Sequence, residues 1–561
     1  MVVVEYLYED MKKLVNLPLP KMVNGLSELG APSEYEEETK KIITELTPNR
    51  PDWYSMEGLA RALRAYYGKG HPKYAARKSD YLVVVDPSVA KIRPYTACAA
   101  VKGLKFNDQR ITDVVLLQEK LLGTLGRRVK KFGIGIYPLH AIKFPVKYTT
   151  MEPEEIRYIP LGHEKKMSAK EIIANHKKGQ QYGHLIKDYD RYPVFVDAEN
   201  NVMALIPIVN SAETGKIDTA TQDIFIEVTG TDINACKAAL NIMVCTFADM
   251  GGTVYEVKIK SGKGIDWTPD LGERKVQFDL KRTGGVLGID LKESEASKLL
   301  ERMGYGYEKG VVIVPPYRAD VLGWIDILED IAIAYGYNNF KFSLPGFFTA
   351  GGKRTETDEL DEVMRGMGFL ELKTFILTNR QKLEVVGHEG NLVEIVNPSS
   401  EEYTVARPNL VASFLEVLAN NKMKGLPQRF YEIGLVQSGR ETKKRLIFGM
   451  MDKTVDFSIF RGHLQTLANE TELDFILQKK PRGIFEPEIS CVVISKGKEK
   501  GIFGKVSRKI LEKFGLEFEV YLCELEIWAP CEYSSNSWCW RGPQTSTNTG
   551  QNSSTDSAKI L

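Results

Sequence analysis

The chain has 561 residues, with 75 Lys and Arg against 74 Asp and Glu, so its formal net charge is +1 at pH 7. This length predicts several domains with ample core. The balanced charge excludes a global field that would draw the chain onto nucleic acid or a membrane, so any RNA contact must be local or shared with a partner. Acidic residues appear too early for a signal peptide, and no apolar run could span a bilayer. We therefore expect a cytoplasmic protein.

The cysteines predict neither disulfides nor a zinc site, because no two of them form a C-x-x-C pair. Cys236 and Cys245 fall within one helical pattern, and we expect both to be small buried side chains. The seven positions are 98, 236, 245, 491, 523, 531 and 539.

The first region, residues 1–86, has the pattern of short α/β elements. It contains the stretch LTPNRPDWYSMEGLAR at residues 46–61. Ser55 is a favourable N-cap and Glu57 suits a first helical turn, so the sequence predicts a helix that runs to about Gly68.

Residues 88–262 alternate strands and helices, which predicts a compact α/β domain. The run 202–209 is predicted as a strand, and its Pro207 favours an edge or a bulge. Residues 223–231 form a second predicted strand, in which Ile and Val alternate with Phe, Glu and Thr. Asp232 follows it and can cap the next helix.

A helix is also predicted over residues 116–131, and its last turn is basic. Arg127, Arg128, Lys130 and Lys131 are candidates for contacts with RNA phosphates. A lysine-rich helix end also complements the helix dipole, so both interpretations stay open.

An acidic cluster lies further along the chain. The segment PPYRAD at residues 315–320 precedes an amphipathic helix that starts after Gly323 and ends at Gly336. Asp320, Asp326, Glu329 and Asp330 fall within eleven positions, and like charges at this spacing repel. A hard cation such as Mg²⁺ would turn the repulsion into attraction, so the cluster is a candidate metal site. The alternative is an acidic first turn that is only solvated.

The third large region, residues 350–528, contains NPSSEEYTVARPNL at 397–410 and QRFYEIG at 428–434. The apolar helix predicted over 411–419 looks exposed. Residues 531–561 are rich in Ser, Thr, Asn, Gln and Gly, a composition that cannot bury enough apolar surface to become ordered.

Several of these stretches resemble one family, the phenylalanine–tRNA ligase beta subunits of the archaeal and eukaryotic type. The resemblance covers roughly residues 1–528. It rests first on the quoted stretches at 46–61 and 397–410. Two further stretches are IPIVNSAETGKI (206–217) and FIEVTGTD (225–232). The last three are GVLGIDL (285–291), ASKLLERMG (296–304) and VVIVPPYRAD (311–320).

The resemblance implies a multidomain α+β and α/β fold. It comprises an N-terminal α/β domain (1–86), a tRNA-editing α/β domain (88–262), a small winged-helix-like magnesium-binding module (268–345) and a degenerate class II synthetase-like antiparallel-sheet domain (350–528). A tail, 531–561, follows. Asp320, Asp326, Glu329 and Asp330 would bind Mg²⁺. The editing pocket would hydrolyse tyrosine wrongly attached to the phenylalanine tRNA, and its candidate wall is Asn210, Ser211, Glu213, Thr231 and Asp232.

Roles in a turn or as an N-cap are the alternatives for these pocket candidates.

In active class II synthetases an arginine stands two residues before the motif glutamate and grips the α-phosphate; here that position holds Phe430. We therefore expect an inactive interface domain, with helix 411–419 facing another subunit. The implied partners are the tRNA and two alpha subunits, in a heterotetramer with two beta chains, where the alpha subunit would use ATP. One rival hypothesis is a non-catalytic scaffold or RNA-binding subunit with a dead editing pocket, and the other is a free-standing metal-dependent hydrolase.

Overall fold

In the computed structural model of the chain, the structure describes residues 2–70, 72–262, 264–344, 346, 358–471 and 474–527. It divides into two compact units, Met1–Leu344 and Pro345–Leu561. None of the helices in the described part is both long and apolar enough to cross a membrane. The predicted tail, 531–561, lies outside the described residues. All the described cysteines are buried and free, namely Cys98, Cys236, Cys245, Cys491 and Cys523.

The first unit begins with a three-stranded antiparallel sheet in the order β1-β3-β2. The strands are β1 (Val2–Leu7), β2 (Ser33–Glu36) and β3 (Lys41–Leu46), and the helices are α1 (Tyr8–Val15), α2 (Leu19–Glu28) and α3 (Met56–Tyr66). Helix α3 confirms the prediction made from Ser55, whose Oγ accepts a hydrogen bond from the Gly58 amide at 3.0 Å.

A ten-stranded sheet follows, in the order β12-β11-β10-β7-β4-β14-β5-β13-β6, with β15 paired to β14. Its strands are β4 (Leu82–Val85), β5 (Tyr95–Lys102), β6 (Phe132–Pro138), β7 (Val146–Met151), β10 (Tyr192–Val196), β11 (Val202–Leu205), β12 (Val209–Asn210), β13 (Ile224–Gly230), β14 (Thr253–Ser261) and β15 (Gly264–Thr268). A separate ribbon is formed by β8 (Arg157–Tyr158) and β9 (Met167–Ser168). The helices are α4 (Asp108–Gly123), α5 (Ala169–Asn175), α6 (Lys177–Tyr182) and α7 (Ile233–Asp249).

The strand predicted over 223–231 is confirmed as β13, which is buried along its whole length. Asp232 caps α7 as predicted, because its Oδ1 accepts from the amides of Asn234 and Ala235 at 3.1 Å. The strand predicted over 202–209 is interrupted instead: β11 ends at Leu205, and Pro207 lies in the turn that leads to β12. This turn approaches the far edge of the sheet, since a Cβ at Gly133 of β6 would lie 2.9 Å from the Pro207 Cβ.

The helix predicted over 116–131 has different bounds. Helix α4 starts at Asp108, where the Asn107 side chain accepts from the Arg110 amide, and it ends at Gly123. Arg127, Arg128 and Val129 adopt φ angles of 48°, 54° and 66°, and a right-handed helix cannot contain such left-handed residues. The basic residues therefore lie on a turn and not on a helix end.

The last part of the first unit is a three-stranded sheet in the order β16-β18-β17, with three helices. Its elements are β16 (Arg274–Gln277), α8 (Leu280–Leu287), α9 (Glu293–Arg302), β17 (Gly306–Glu308), β18 (Val311–Val314) and α10 (Trp324–Tyr335). The predicted acidic helix is confirmed as α10, followed by Gly336 at φ 91°.

A buried ion pair joins two parts of the first unit. Arg61 of α3 pairs with Asp249 at the end of α7, and the Tyr74 hydroxyl donates to Asp249 Oδ1 at 2.8 Å. The Arg61 guanidinium also lies 3.9 Å from the centre of the Tyr317 ring. One buried cation thus contacts three segments of the chain.

The second unit is built on a seven-stranded sheet in the order β19-β23-β24-β28-β27-β26-β25, antiparallel except for the pair β19 and β23, with a small sheet β20-β22-β21. The strands are β19 (Leu370–Glu371), β20 (Leu377–Thr378), β21 (Val393–Glu394), β22 (Val405–Ala406), β23 (Gln428–Ser438), β24 (Glu441–Asp452), β25 (Ile476–Lys479), β26 (Phe485–Ser495), β27 (Lys498–Val506) and β28 (Glu519–Glu526). The helices are α11 (Asp358–Gly366), α12 (Arg380–Val385), α13 (Val411–Asn420), α14 (Phe457–Glu470) and α15 (Arg508–Lys513).

Helix α13 corrects one prediction. We expected its apolar residues to face another subunit, but Val411, Phe414, Leu415 and Leu418 are buried in the core of the second unit itself. Its apolar character therefore reflects packing against the sheet, not an exposed face.

Candidate functional site

A cavity of about 330 Å³ opens in the first unit where α4 and β6 meet the turn between β11 and β12. This volume falls at the lower end of the range of small-molecule sites, roughly 300–1,000 Å³. Its walls are mostly apolar and include Ile111, Val114, Leu122, Ile134, Ile136, Leu205, Ile206, Ile208 and Val209.

A small polar group stands at the base of this apolar cavity. Glu227 and Thr229 of β13 both line it and are fully or almost fully buried. The Tyr137 hydroxyl lies 3.3 Å from Glu227 Oε1 and 3.3 Å from the Asn210 side-chain oxygen. Glu227 Oε2 and Thr229 Oγ1 have no hydrogen-bond partner among the residues that the structure describes. Thr229 is nevertheless close enough to act on the Glu227 carboxyl, whose pKa it lowers. Buried polar atoms are usually hydrogen-bonded, so this polar pair in an apolar cavity is available to a ligand that completes its bonding.

The environment of Glu227 sets its protonation. Burial raises the pKa of its carboxyl to about 8, although the Tyr137 hydroxyl, Arg93 and Thr229 act in the opposite direction. At neutral pH the carboxyl is therefore mainly protonated, and it can donate one hydrogen bond and accept another.

Two glycines make room for this group. A Cβ at position 135 would lie 2.5 Å from Glu227 Oε1, and one at position 215 would lie 2.6 Å from the Asn210 Cβ. Any larger residue at either position would have to displace a side chain of the cavity wall.

Of the five residues predicted for the pocket wall, only Asn210 lines this cavity. Its Nδ2 donates to the Ile136 carbonyl at 3.3 Å, which ties the end of β12 to β6. Ser211 is buried outside the lining, where its hydroxyl accepts from the Glu213 amide at 3.3 Å, and the Glu213 side chain is exposed. These two residues have turn geometry.

The other two predicted wall residues also have local contacts away from the cavity. The Thr231 hydroxyl donates to the Lys130 carbonyl at 3.2 Å. Asp232 caps α7 and pairs with Lys131 at 3.0 Å, and the pKa of Asp232 is lowered, first by that bond with Lys131. The structure therefore places Lys131 in an ion pair, while Arg127, Arg128 and Lys130 are exposed.

The sequence reasoning missed Glu227, Thr229 and Tyr137. A signal was present, because Glu227 is a charged residue in the middle of a strand that is otherwise apolar or neutral. The alternation along β13 identified the strand, but the partner β6, with Gly133 and Gly135 opposite Thr229 and Glu227, is known only from the sheet register.

The four predicted magnesium ligands are not gathered around one point. Arg318, fully buried, lies between two of them: its Nε and Nη2 donate to Asp320 at 2.9 and 2.7 Å, and its Nη2 also donates to Asp330 at 2.6 Å. Tyr305 donates to Asp330 as well, at 2.5 Å. No group of three or more His, Cys, Asp or Glu side chains with metal-site geometry occurs among the described residues. A cation from the chain itself, which the sequence reasoning did not consider, neutralises half of the cluster.

Of the four predicted ligands, Asp326 and Glu329 are the two that Arg318 does not occupy. Asp326 Oδ2 accepts from the amides of Leu322 and Gly323 at 2.7 and 2.8 Å, which leaves its Oδ1 available. Glu329 follows one turn later on α10 and is exposed. Mg²⁺ keeps several waters and commonly takes one or two carboxylates, so this pair suits it, whereas Asp320 already uses both oxygens for Arg318.

In the second unit, the residue two positions before Glu432 is Phe430, which packs against the apolar core. Glu432 is buried, and its partner is Arg407, at 2.8 Å. The glutamate thus takes part in a structural ion pair, and no arginine stands at position 430 to grip a phosphate.

The comparisons with known proteins cover most of the chain. Two family models match: the phenylalanyl tRNA synthetase beta chain CLM domain at residues 344–527 and the tRNA synthetase B5 domain at residues 276–337. A phenylalanine–tRNA ligase beta subunit from Thermococcus onnurineus is 37% identical over 84% of this chain and 89% of its own length. One from Archaeoglobus fulgidus is 32% identical over 94% of this chain and 98% of its own. The crystal structure of an N-terminal fragment of the phenylalanyl-tRNA synthetase beta subunit from Pyrococcus horikoshii, 34% identical, matches with a TM-score of 0.57 and covers 60% of this chain and 99% of that one.

Proposed function

The chain belongs to the family of phenylalanine–tRNA ligase beta subunits, and from this premise we propose that its cavity removes tyrosine wrongly esterified to the phenylalanine tRNA. In the cytoplasm it would act with an alpha subunit that activates phenylalanine with ATP, two copies of each forming the enzyme. The observation that carries the editing proposal is the buried polar pair of Glu227 and Thr229 in the lining of an otherwise mostly apolar cavity.

The physical need for such a site comes from the similarity of the two amino acids. An apolar pocket built for phenylalanine cannot strongly reject a side chain that only adds a hydroxyl, and its discrimination reaches about a hundredfold. A second site can select in the opposite direction. If it hydrogen-bonds the hydroxyl, phenylalanine is rejected because the buried polar groups of the site would stay unpaired.

The cavity has the components of that selection. Its apolar walls suit an aromatic ring, and the neutral carboxyl of Glu227 can both donate to and accept from a phenolic hydroxyl. Thr229 offers a further hydroxyl, and Tyr137 holds the opposite oxygen of Glu227, at 3.3 Å. Phenylalanine in the same position would place C–H groups against these atoms.

Hydrolysis itself requires a water molecule and donors for the developing oxyanion. Water attacks the ester carbonyl, the bond to the ribose oxygen breaks, and that oxygen leaves with a proton as the tRNA hydroxyl. Among the described residues that line the cavity there is no Ser, Cys or His to act as a nucleophile. The proposed contribution of the chain is therefore to bind the ester, orient it and limit the access of bulk water.

We assign Asp326 and Glu329 as the residues that would hold a hydrated Mg²⁺. Bound there, the ion would neutralise the acidic first turn of α10. Asp320 and Asp330 contribute to the same region through Arg318 instead.

Deacylation of Tyr-tRNA by the full chain, assayed alone and with the alpha subunit, tests the editing proposal. We expect release of tyrosine from the parental chain and a loss of roughly tenfold or more in the Glu227→Ala variant, since one buried hydrogen bond is worth about 1–3 kcal/mol. A scaffold with a dead pocket would leave Tyr-tRNA intact. A free-standing metal-dependent hydrolase would lose activity in the Asp326→Asn variant and not in Glu227→Ala.

A further inference from the structure

The second unit contains a cavity of about 660 Å³, which is larger than the cavity of about 330 Å³ in the first unit. It lies beside α14, where β26 and β28 end and β27 begins, and we call it the sheet-end cavity. Its apolar wall includes Leu446, Leu464, Leu467, Phe475, Val493 and Leu525. The proposed editing reaction makes no use of this space, so its apolar wall needs another explanation.

The described part of the chain ends at this cavity. Its last three residues, Leu525, Glu526 and Ile527, all belong to the lining. The Ile527 amide donates to the Lys444 carbonyl at 3.1 Å, so the backbone is still held against β24 at this point. The next thirteen residues, 528–540, have the sequence WAPCEYSSNSWCW, and we call them the aromatic segment. A short tether of this kind gives an effective concentration in the millimolar range.

The aromatic segment differs in composition from the rest of the tail. It holds three of the six tryptophans of the chain, Trp528, Trp538 and Trp540, together with Tyr533. Residues 541–561 contain no aromatic residue. Each buried aromatic side chain removes about 150–250 Å² from water. The segment can therefore contribute apolar area to an existing cavity, although the tail as a whole is too polar to form a core of its own.

The charges of the cavity also suit this segment. The lining carries three lysines and three carboxylates, whose charges cancel, and Lys500 and Glu526 pair with each other at 3.9 Å. A strongly charged ligand therefore gains little from the cavity as a whole. The aromatic segment has a single charged residue, Glu532. Its Pro530 and the run SSNS at 534–537 are turn-forming residues, which allow the chain to reverse towards the cavity.

We propose that the aromatic segment folds back onto the second unit and places tryptophan side chains in the sheet-end cavity, against Leu464, Leu467 and Phe475. The driving force is the removal from water of apolar area on both the cavity wall and the segment. A second copy of the chain is the alternative occupant, but its segment is not joined to this wall. The proposal concerns the second unit alone, so it does not depend on the editing function.

Cysteine cross-linking in the full chain tests the contact. Cys539 stands between Trp538 and Trp540, and Ser495→Cys places a second thiol in the cavity lining. A disulfide forms only if the two Cα atoms come within about 7 Å. Diamide serves as the oxidant, and mass spectrometry of proteolytic peptides measures the rate at which the 495–539 disulfide appears. Lys498→Cys, at an exposed position of the same lining, is a second probe.

The matched control for tethering is Ser438→Cys. Ser438 is exposed and outside the lining, and it pairs with Glu441 at the turn between β23 and β24. That turn is three residues from Lys444, which holds Ile527, so position 438 is also near the point where the segment begins. A segment that is only tethered would reach both positions.

We expect the disulfide with Cys539 to form about tenfold faster from Ser495→Cys than from Ser438→Cys. Replacing Trp538 and Trp540 by Ser in the Ser495→Cys chain should lower the rate to that of the control, because the apolar anchor is lost. Replacing Thr545 and Thr547 by Ala, in the part of the tail without aromatic residues, should leave the rate unchanged.

Equal rates from positions 495, 498 and 438 would overturn the proposal, because tethering alone would then account for the contact. A rate that does not depend on Trp538 and Trp540 would overturn it as well. Mixing isotopically labelled and unlabelled chains identifies disulfides that join two molecules. If these predominated, the cavity would belong to the segment of a second copy, and the proposed folding back within one chain would be wrong.

Discussion

Gly135 and Glu227 face each other across the antiparallel strands β6 and β13, where they are register partners. A Cβ at position 135 would lie 2.5 Å from Glu227 Oε1 and 2.6 Å from the Tyr137 hydroxyl. The absence of a side chain at one residue therefore allows the buried carboxyl of the other to lie where the cavity needs it. This relationship links the backbone register to the chemistry of the proposed site.

The Gly135→Ala substitution should impair tyrosine deacylation by roughly tenfold or more, because the added methyl must push the Glu227 carboxyl or the Tyr137 hydroxyl away and so disrupt a buried hydrogen bond. Deacylation rates and melting temperatures of the same preparations check this. Gly123→Ala is the matched control, since a Cβ there meets nothing within 4 Å. Parental deacylation by folded Gly135→Ala would contradict the assigned role of Glu227.

Replacing Glu227 by Gln should change how stability depends on pH. The pKa of Glu227 is raised from 4.5 to about 8 by burial, so the folded state binds its proton more tightly than the unfolded state. Its stabilising contribution is fully present below about pH 4.5 and is lost as pH rises through 8, with a slope of up to about 1.4 kcal/mol per pH unit. Urea unfolding at pH 6 and pH 9 should show a smaller loss in Glu227→Gln than in the parent, and equal losses would refute the raised pKa.

Elements defined by local chemistry were predictable from the sequence. Ser55 and Asp232 are N-caps that mark the start of α3 and α7, and the apolar spacing after Gly323 marks α10. The turn after α4 was not predictable, because three consecutive left-handed residues that are not glycine are set by tertiary contacts such as that of Arg93 with the Val129 carbonyl. Propensity describes local preferences, and here the fold overrides them.

The candidate site was only partly predictable for a related reason. Asn210 was named because of the turn in which it lies, whereas Glu227 acquires its role from strands β6 and β12, which are distant in sequence. Arg318 shows the same limit. Its position between Asp320 and Asp330 cannot be inferred from carboxylate spacing, which by itself indicates only a repulsive cluster that some cation must relieve.

The Arg61–Asp249 pair should behave as a buried ion pair that joins α3 to α7. Asp249→Leu leaves the Arg61 charge buried without its partner, and we expect a loss of about 3–5 kcal/mol in the free energy of unfolding. The double variant Arg61→Met with Asp249→Leu should recover much of that loss, since both charges are gone. Urea unfolding of the two single variants and the double variant measures the coupling, and additive losses would mean that the pair does not interact.

The chain without its partner should not activate phenylalanine. Phe430 occupies the position where an arginine would grip the α-phosphate, and Glu432 is paired with Arg407. Exchange of pyrophosphate into ATP by the isolated chain should therefore be at background, and it should appear when the alpha subunit is added. Robust exchange by the isolated chain would place an activation site in this subunit.

The acidic cluster should separate into two functional halves. Asp326→Asn with Glu329→Gln should weaken Mg²⁺ binding, measured by calorimetry, because these are the carboxylates with available oxygens. The stability of this variant in the absence of Mg²⁺ should change little.

The Asp320→Asn variant should show the opposite pattern: its Mg²⁺ affinity should change little and its stability should fall. Although burial by itself raises the pKa of Asp320, the charge and hydrogen bonds of Arg318 lower it to about 2, so its stabilising contribution is present above about pH 4 and is lost as pH falls through 2. The Asp320→Asn variant should therefore be less stable than the parent at pH 7, and the difference should shrink towards pH 2. If Asp320→Asn instead removed Mg²⁺ binding and left stability at pH 7 unchanged, Asp320 would be a metal ligand and not the partner of Arg318.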